Sequence, residues 1–281
     1  MFKNQKYNYA VFGNPVNHSK SPNIHSYFAK QTDILHIYKS VHVPLNNFYF
    51  ILRDFFQNQG QGANITAPFK QEAFFFADKL TDRAKISQSV NTLKKIDNKY
   101  ILGDNTDGIG LFSDLKRLNF IKCNDLVLIL GAGGGAKGIL FPLLSFGCSV
   151  FILNRTVSKS QQLISHFSQF GKISMFEKCL LKEKKFNLVI NATSQYDKNM
   201  IDLSLFSQST CFYDMNYQKN NTYFLDACIA SGMTNVSNGI GMLIFQAAHS
   251  FFLWHNVFPN TDDIINTFQK TCLVHQNDVI K

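Results

Sequence analysis

The sequence predicts an α/β protein of two domains. Short apolar runs alternate with helical stretches from one end of the chain to the other, which is the βαβα pattern of this class. Of the 281 residues, 45% are hydrophobic and 17% are charged, which is typical of globular proteins and excludes a disordered or coiled-coil chain. The pattern changes near Asp107, where polar loops give way to buried strands. We predict a domain boundary there.

The net charge of the chain is positive but is not concentrated in one place. Lys and Arg number 28 against 19 Asp and Glu, which gives a formal net charge of +9. Such a balance raises the expectation of anionic ligands or nucleic acid. The basic residues are scattered, however, and the longest clusters are Lys94-Lys95 and Lys182 to Lys185. We therefore expect no nucleic-acid partner.

No segment predicts export, a membrane span or a metal site. Met1 to Lys6 is polar and lacks the apolar region of a signal peptide. The most apolar windows, 126–144 and 240–254, are interrupted by Lys137, Gln246 and His249. The six cysteines lie far apart and form no CxxC pair, which argues against a disulfide framework or zinc. We expect buried thiols in a reducing cytoplasm.

In the first domain, residue patterns predict strands separated by polar loops. The predicted strands are 9–12, 35–43, 63–66, 90–95 and 99–103. The last two form a hairpin that turns at Asp97-Asn98. A helix opens at Ser21-Pro22, with Ser21 as the N-cap and Pro22 at the first helical position.

In the second domain, the strand 125–130 is apolar throughout, as expected for a parallel sheet that is buried on both faces. A helix to Phe146 follows it. Further strands are predicted at 149–153, 188–191 and 211–214, and the segment from Gly239 is predicted to be all helix.

A glycine-rich turn indicates dinucleotide binding. The fingerprint G-x-G-x-x-A occurs at Gly131, Gly133 and Ala136, between a strand and a helix that leads into a second strand. Such glycines allow a tight turn and let the backbone approach a pyrophosphate at the helix N-terminus. The alternative is a glycine-rich turn that binds no ligand.

The residues after the second strand favour NADP. An NAD site of this type has an acidic residue there that binds the ribose 2′-hydroxyl. This chain has Asn154-Arg155-Thr156, with Lys159 one turn further on. A guanidinium pairs with a 2′-phosphate, which a carboxylate would repel.

Polar residues in the first domain suggest a site for a polyhydroxylated acid. Ser19 and Ser21 place two hydroxyls beside a helix N-terminus, which favours a carboxylate. Thr66 and Lys70 follow a strand, and Asn91 and Asp107 lie at the ends of neighbouring strands. Each has a simpler explanation, since Ser21 or Asp107 could only cap a helix and Lys70 could be an ordinary surface lysine. Their joint occurrence supplies anion donors, an acid/base pair and hydroxyl partners.

The motifs of the chain resemble, in order and over nearly its whole length, those of the shikimate dehydrogenase family. They are Tyr9 to Pro15, Ser19 to Pro22, Asn64 to Lys70, Val90 to Thr92, Gly103 to Gly108, Asn154 to Thr156, Asn191 to Ser194 and Asn238 to Leu243. The resemblance implies reversible NADPH-dependent reduction of 3-dehydroshikimate to shikimate, in the pathway to chorismate and the aromatic amino acids.

The resemblance also implies roles for individual residues. Lys70 and Asp107 would be the catalytic pair at the reacting oxygen. The implied substrate residues are Ser19, Ser21 and Tyr217 at the carboxylate, and Thr66, Asn91, Asp107 and Gln246 at the hydroxyls. The cofactor residues, from the glycine turn and the resemblance together, are Asp82, Gly131, Ala132, Gly133, Gly134, Gly135, Asn154, Arg155, Thr156, Lys159, Asn191, Thr193, Met215, Gly239 and Met242.

The resemblance further implies an N-terminal α/β substrate domain and a Rossmann-type domain, with C-terminal helices that return to the first domain. The substrate domain would comprise residues 1–106 and 239–281, and the NADP domain residues 107–238. Two departures stand out: Lys159 replaces a second Arg that is common in the family, and Gly135 replaces a commoner Ala. The chain is expected to be a monomer or homodimer.

Two alternatives stay open at this point. One is a quinate/shikimate dehydrogenase with relaxed substrate and cofactor choice. The other is a catalytically silent metabolite-binding homologue on the same fold. The presence of Arg155 argues against NAD use, and the presence of both Lys70 and Asp107 argues against a silent homologue.

Overall fold

A computed structural model describes residues 7–179, 184–217 and 221–273 of the chain. These residues form two units. The first comprises residues 7–107 and 244–264, and the second comprises residues 108–243 and 265–273. Within the described ranges, no helix is long and apolar enough to cross a membrane.

The first unit is built on a mixed six-stranded sheet with the order β2-β1-β3-β5-β6-β4. Its strands are β1 Tyr9–Gly13, β2 Tyr38–His42, β3 Gly62–Ile65, β4 Lys79–Leu80, β5 Thr92–Ile96 and β6 Tyr100–Asp104. β1 pairs in parallel with β2 and β3, whereas β5 is antiparallel to both β3 and β6.

Four helices of the first unit connect these strands. They are α1 Ser21–Thr32, α2 Phe48–Asn58, α3 Lys70–Phe76 and α4 Asp82–Ser87. The core contains the fully buried side chains of Phe12, Leu52 and Phe69. The rings of Phe12 and Phe55 meet edge to face at 5.1 Å between centroids, so α2 is fixed on the sheet by aromatic packing.

The hairpin predicted at Asp97-Asn98 is confirmed. Both residues have left-handed backbone angles, with φ values of 50° and 54°. This conformation matches the twist of the flanking strands, and Asn and Asp tolerate it better than most side chains.

The second unit contains a fully parallel six-stranded sheet with the order β12-β11-β10-β7-β8-β9. Its strands are β7 Leu126–Leu130, β8 Ser149–Leu153, β9 Ile173–Met175, β10 Leu188–Asn191, β11 Cys211–Asp214 and β12 Val236–Asn238. From β7 the strand order runs one way to β8 and β9 and the other way to β10, β11 and β12. Doubly wound sheets bind dinucleotides at such a reversal of the strand order.

The remaining helices begin at the end of the first unit and continue through the second. They are α5 Asp107–Arg117, α6 Gly134–Ser145, α7 Val157–Phe167, α8 Tyr223–Ala230, α9 Ile240–His255 and α10 Asp262–Leu273. Most of α9 returns to the first unit, where the Trp254 indole donates a hydrogen bond to the Leu93 carbonyl at 2.9 Å. The predicted two-domain α/β fold class is confirmed. The return that the resemblance implies for the C-terminal helices is seen for most of α9, whereas most of α10 belongs to the second unit.

Three details of the sequence interpretation are wrong. Ser21 is not the N-cap of α1 but its first residue, because the helix begins there, and Lys20, which precedes it, makes no side-chain cap hydrogen bond. The segment from Gly239 is two helices, since α9 ends at His255 and Asn256 is left-handed. Cys123 and Cys179 are exposed thiols, whereas Cys148 and Cys228 are buried as expected.

Candidate active site

The first unit pairs Lys70 with Asp107. Lys70 is the first residue of α3 and Asp107 the first of α5, so both side chains leave the backbone at helix N-termini. The Lys70 Nζ donates to Oδ2 of Asp107 at 2.7 Å, and the two side chains are 31% and 12% exposed. The pair is therefore partly shielded but still accessible, and Asp107 is more than a helix cap.

Asn91 holds the other oxygen of the Asp107 carboxylate. Its Nδ2 donates to Asp107 Oδ1 at 2.9 Å and to Thr106 Oγ1 at 2.9 Å. Its Oδ1 accepts from the Thr106 backbone N–H at 2.8 Å, and this donor fixes the orientation of the amide. Gln246 Oε1 lies 3.4 Å from the same Nδ2. The structure thus brings together Lys70, Asn91, Asp107 and Gln246, as the sequence predicts.

The loop before Asp107 is held by two residues that the sequence interpretation missed. Asp104 is fully buried and pairs with the Arg83 guanidinium through both of its carboxylate oxygens. The Asp104 Oδ1 also accepts from the Asn105 backbone N–H at 2.8 Å, and the Asn105 side chain accepts from the Asp107 N–H at 3.0 Å. The scarcity of arginine, four in the chain, was the available signal for Arg83.

The two serines near α1 differ in environment. Ser19 is half-buried and its Oγ accepts from the Ser21 backbone N–H at 3.3 Å, which leaves the Ser19 hydroxyl proton available to another acceptor. Ser21 is buried, and its side chain lies close to Tyr38. Thr66 is half-buried just after β3, and a Cβ at Gly13 would overlap its methyl group. Gly13 therefore makes room for Thr66.

In the second unit, the glycine turn leaves open space at the start of α6. Gly131 has a φ of 106°, which only glycine adopts readily. Gly133 is the N-cap residue of α6, where no side chain caps the helix, and a Cβ on Gly133 or Gly134 would meet no atom within 4 Å. This combination of free backbone donors and free volume fits a pyrophosphate.

A polar cluster follows β10 and β11. The Asn191 Oδ1 accepts from the Thr193 hydroxyl at 2.6 Å, and its Nδ2 donates to Asp214 at 3.1 Å. Burial raises the pKa of the Asp214 carboxyl, although Thr222 and Asn216 donate to it. Gly239 packs so closely on Met215 that a Cβ would overlap the Met215 carbonyl. This cluster fixes Asn191, Thr193, Met215 and Gly239 at one edge of the sheet.

The segment after β8 presents cationic side chains to solvent. Arg155, Thr156 and Lys159 are exposed. The Asn154 side chain donates to the Thr156 carbonyl at 2.9 Å, which orders the turn into α7. Exposed cations beside a glycine turn fit the 2′-phosphate of NADP.

The predicted sites divide unevenly between the units. Asp82 lies in the first unit on α4, where its exposed carboxylate accepts from Lys85 at 3.1 Å, whereas the other predicted cofactor residues lie in the second unit. Tyr217 is the one predicted substrate residue in the second unit, and burial raises its pKa. Met242 is also in the second unit, where its backbone N–H donates to the Tyr213 hydroxyl at 3.3 Å.

Among the described residues, no group of three or more His, Cys, Asp or Glu side chains is arranged to hold a metal ion.

The chain matches two family models. Residues 11–93 match the shikimate dehydrogenase substrate binding domain, and residues 116–210 match the shikimate / quinate 5-dehydrogenase model. A relative from Buchnera aphidicola subsp. Acyrthosiphon pisum (strain Tuc7), named shikimate dehydrogenase (NADP(+)), is 63% identical over 273 residues, which covers 96% of this chain and 100% of the relative.

Solved structures are similar over almost the same range. An Ael1 enzyme from Pseudomonas putida has a TM-score of 0.85 at 35% identity, covering 93% of this chain and 98% of that one. A shikimate 5-dehydrogenase from Thermus thermophilus, in complex with NADP(H) and shikimate, has a TM-score of 0.83 at 27% identity, covering 94% and 99%. Together with the two domain matches, these similarities establish that the chain belongs to the shikimate dehydrogenase family.

Proposed function

We propose that this protein catalyses the reversible NADPH-dependent reduction of 3-dehydroshikimate to shikimate. The observation that carries the proposal is the Lys70–Asp107 pair, in which an ammonium donates to a carboxylate at 2.7 Å beside the amides of Asn91 and Gln246. A silent binding protein has no need of such a pair. The rest of the proposal assigns each residue a role that its surroundings permit.

The substrate is assigned to the first unit. Its carboxylate is held by Ser19 and Ser21, and Ser19 is the better donor because its Oγ already accepts from a backbone N–H and its proton is therefore directed elsewhere. Tyr217 is assigned to the same carboxylate. Thr66, Asn91 and Gln246 bind the ring hydroxyls, since hydroxyl groups of a polyol need both donors and acceptors, which amides supply.

The cofactor is assigned to the second unit. The turn from Gly131 to Gly135 would hold the pyrophosphate, and Arg155 with Lys159 would hold the 2′-phosphate. Asn191, Thr193, Met215, Gly239 and Met242 are assigned to the ribose and nicotinamide end. NADPH, when bound, supplies the hydride for the reduction.

Lys70 is assigned the transfer of the proton to and from the reacting oxygen. In the reduction, its Nζ donates a proton to the carbonyl oxygen as negative charge develops there, and its positive charge stabilises that oxygen. In the oxidation, Nζ must be the neutral amine, and it accepts the hydroxyl proton to become the ammonium. Asp107 orients Nζ through Oδ2 and is itself fixed by Asn91 through Oδ1, so the direction of the Lys70 side chain is set by two hydrogen bonds.

We further propose that the protein acts in the cytoplasm as a monomer or homodimer and has no nucleic-acid partner. Five cysteines among the described residues are free thiols, which suits a reducing compartment.

The proposal is tested by following NADPH formation with the purified wild-type chain and shikimate. Quinate replaces shikimate in a second arm, because the matched family model covers both substrates, and NAD+ replaces NADP+ in a third. We expect the highest kcat/KM with shikimate and NADP+. A folded chain that forms no NADPH with shikimate would refute the proposal, whereas equal rates with quinate would replace it by a dual-substrate enzyme.

A further inference from the structure

Ser250 lies at the centre of a buried hydrogen-bond network in the first unit. It sits on α9, one turn after Gln246, and is fully buried. Its Oγ lies 2.8 Å from Thr92 Oγ1 and 3.2 Å from Thr106 Oγ1. It also accepts from Asn64 Nδ2 at 3.0 Å and lies 3.0 Å from the Gln246 carbonyl oxygen, which is one of the acceptors within reach of its single proton. One hydroxyl therefore connects α9 with three segments of the sheet.

The two threonines that Ser250 contacts flank the Asn91 amide. The Thr92 hydroxyl donates to Asn91 Oδ1 at 2.9 Å, and Thr106 Oγ1 accepts from Asn91 Nδ2 at 2.9 Å. Asn91 in turn donates to the Asp107 carboxylate. Ser250 therefore contacts the Asn91 amide indirectly, through the hydroxyl of Thr92 on one side and that of Thr106 on the other. That amide holds the Lys70–Asp107 pair.

The network continues towards the other end of the substrate site. Asn64 Oδ1 accepts from the Tyr38 hydroxyl at 2.7 Å, and the Ser21 side chain lies close to Tyr38. A hydrogen-bonded path therefore runs from Ser250 through Asn64 to Tyr38, beside a residue proposed for the substrate carboxylate. All of these groups belong to the first unit, and the proposed NADP residues other than Asp82 belong to the second.

We propose that Ser250 is a positioning residue for shikimate. It does not touch the substrate. It holds α9 in register with β5, so that Gln246 and Asn91 present their amides together, and it fixes the threonines that orient Asn91. A misplacement of about 1 Å in such groups is enough to weaken binding and turnover strongly. This inference rests on the proposed function and adds to it the part of the fold that aligns the hydroxyl-binding amides.

Ser250→Ala is the deciding variant, because alanine favours the helix and removes only the hydroxyl. The matched control is Ser160→Ala, since Ser160 is equally buried on α7 but its hydroxyl has no hydrogen-bond partner. Calorimetry measures the Kd for shikimate and, separately, for NADP+, in the wild type and both variants. We expect Ser250→Ala to weaken shikimate binding by about 3- to 15-fold, the range for one lost hydrogen bond, and to leave the NADP+ Kd unchanged.

The other outcomes are equally informative. Ser160→Ala is expected to leave both constants unchanged. An unchanged shikimate Kd in Ser250→Ala, whatever its melting temperature, would show that Ser250 only supports folding and would overturn the inference. Equal weakening of shikimate and NADP+ binding would overturn it as well. A wild-type chain that binds no shikimate at all would instead overturn the proposed function, and this inference with it.

A double variant tests whether Ser250 acts through the Asn91 environment. Thr92→Val removes the hydroxyl that donates to Asn91 and keeps nearly the same shape. If both residues orient the same amide, the shikimate Kd of Ser250→Ala/Thr92→Val rises by less than the product of the single effects. Effects that multiply fully would contradict the shared route.

Discussion

The Nζ atom of Lys70 lies 2.7 Å from Oδ2 of Asp107, and the opposite oxygen of that carboxylate is occupied by Asn91. Each oxygen of Asp107 therefore has its own donor. One proton of the Lys70 ammonium is held by Asp107, and the ammonium keeps two further protons to donate. A proton donor that is both aimed and partly exposed is what carbonyl reduction requires.

Lys70→Ala should lower kcat by about 10²- to 10⁴-fold, the usual contribution of a positioned acid/base, with a smaller effect on shikimate affinity. Steady-state kinetics with shikimate and NADP+ measure this. Lys99→Ala, in the exposed turn between β5 and β6, is the control and should match the wild type. Normal turnover by a folded Lys70→Ala variant would remove Lys70 from the catalytic role.

Ser19→Ala should raise KM for shikimate more than it lowers kcat. The substrate carboxylate does not react, so the Ser19 hydroxyl binds it equally in the ground and transition states. Ser40→Ala, an exposed serine on β2, serves as the control. An unchanged KM would reduce Ser19 to its observed local role, which is to accept from the Ser21 N–H.

Arg155→Ala should lower kcat/KM for NADP+ by about 10- to 150-fold and leave that for NAD+ nearly unchanged. A charge-assisted hydrogen bond contributes about 1.5–3 kcal/mol, and every 1.4 kcal/mol is about tenfold. Lys159→Ala should remove a smaller share, because an ammonium on a flexible stem pairs less specifically with a phosphate. Both variants are assayed with both cofactors at fixed low salt, since exposed charges are screened.

NAD+ is the internal control of that experiment. Equal losses with NADP+ and NAD+ in Arg155→Ala would mean that the arginine supports the turn into α7 and does not contact the 2′-phosphate.

The first unit should lose stability in acid because it buries neutral histidines. Burial lowers the pKa of His25 to about 3 and that of His36 to about 2, from an ordinary value of 6.5. His25 is fully buried and stacks on Tyr38 with 4.2 Å between ring centroids. Below pH 6.5 the unfolded chain takes up protons at these sites and the folded chain does not.

Well above pH 6.5 these histidines should therefore not lower the free energy of unfolding. As the pH falls from 6.5 towards 3, that free energy should decrease. Between about pH 7.5 and 5, each such histidine removes about 2 kcal/mol, a value that depends only on the unfolded pKa. Urea unfolding at about pH 7.5 and pH 5 measures the loss, and His25→Phe should reduce it. The exposed His42, changed to Gln, is the control. A loss that is the same in His25→Phe and the wild type would exclude His25 as its source.

The cofactor half of the molecule was predictable from the sequence because its signals are local. Gly131, Gly133 and Ala136 follow one strand directly, and Arg155 follows the next. The chain order alone therefore predicts which groups meet at the edge of the parallel sheet. The role of each residue stays a prediction, but its position in the fold could be predicted from the sequence alone.

The polar network of the first unit was less predictable because its members are distant in the chain. Asn64 and Ser250 are 186 residues apart, and a buried serine within an apolar helix carries no pattern of its own. The capping of α1 was misassigned for a different reason. Ser21 before Pro22 has the pattern of an N-cap, and only the backbone shows that the helix already begins at Ser21.

The first unit is discontinuous, since residues 244–264 belong with a sheet whose strands all lie before residue 107. Protein synthesis proceeds from the N-terminus, so this half is begun first but is completed only after the sheet of the second unit. Until Trp254 is made, the Leu93 carbonyl lacks its indole donor and the space beside Gly62 is unfilled. By then every strand of the parallel sheet has been made. A nascent chain therefore contains the complete glycine turn before it contains Gln246 and Ser250, and Asn91 meets Thr92 and Thr106 before the helix that packs on them has been made.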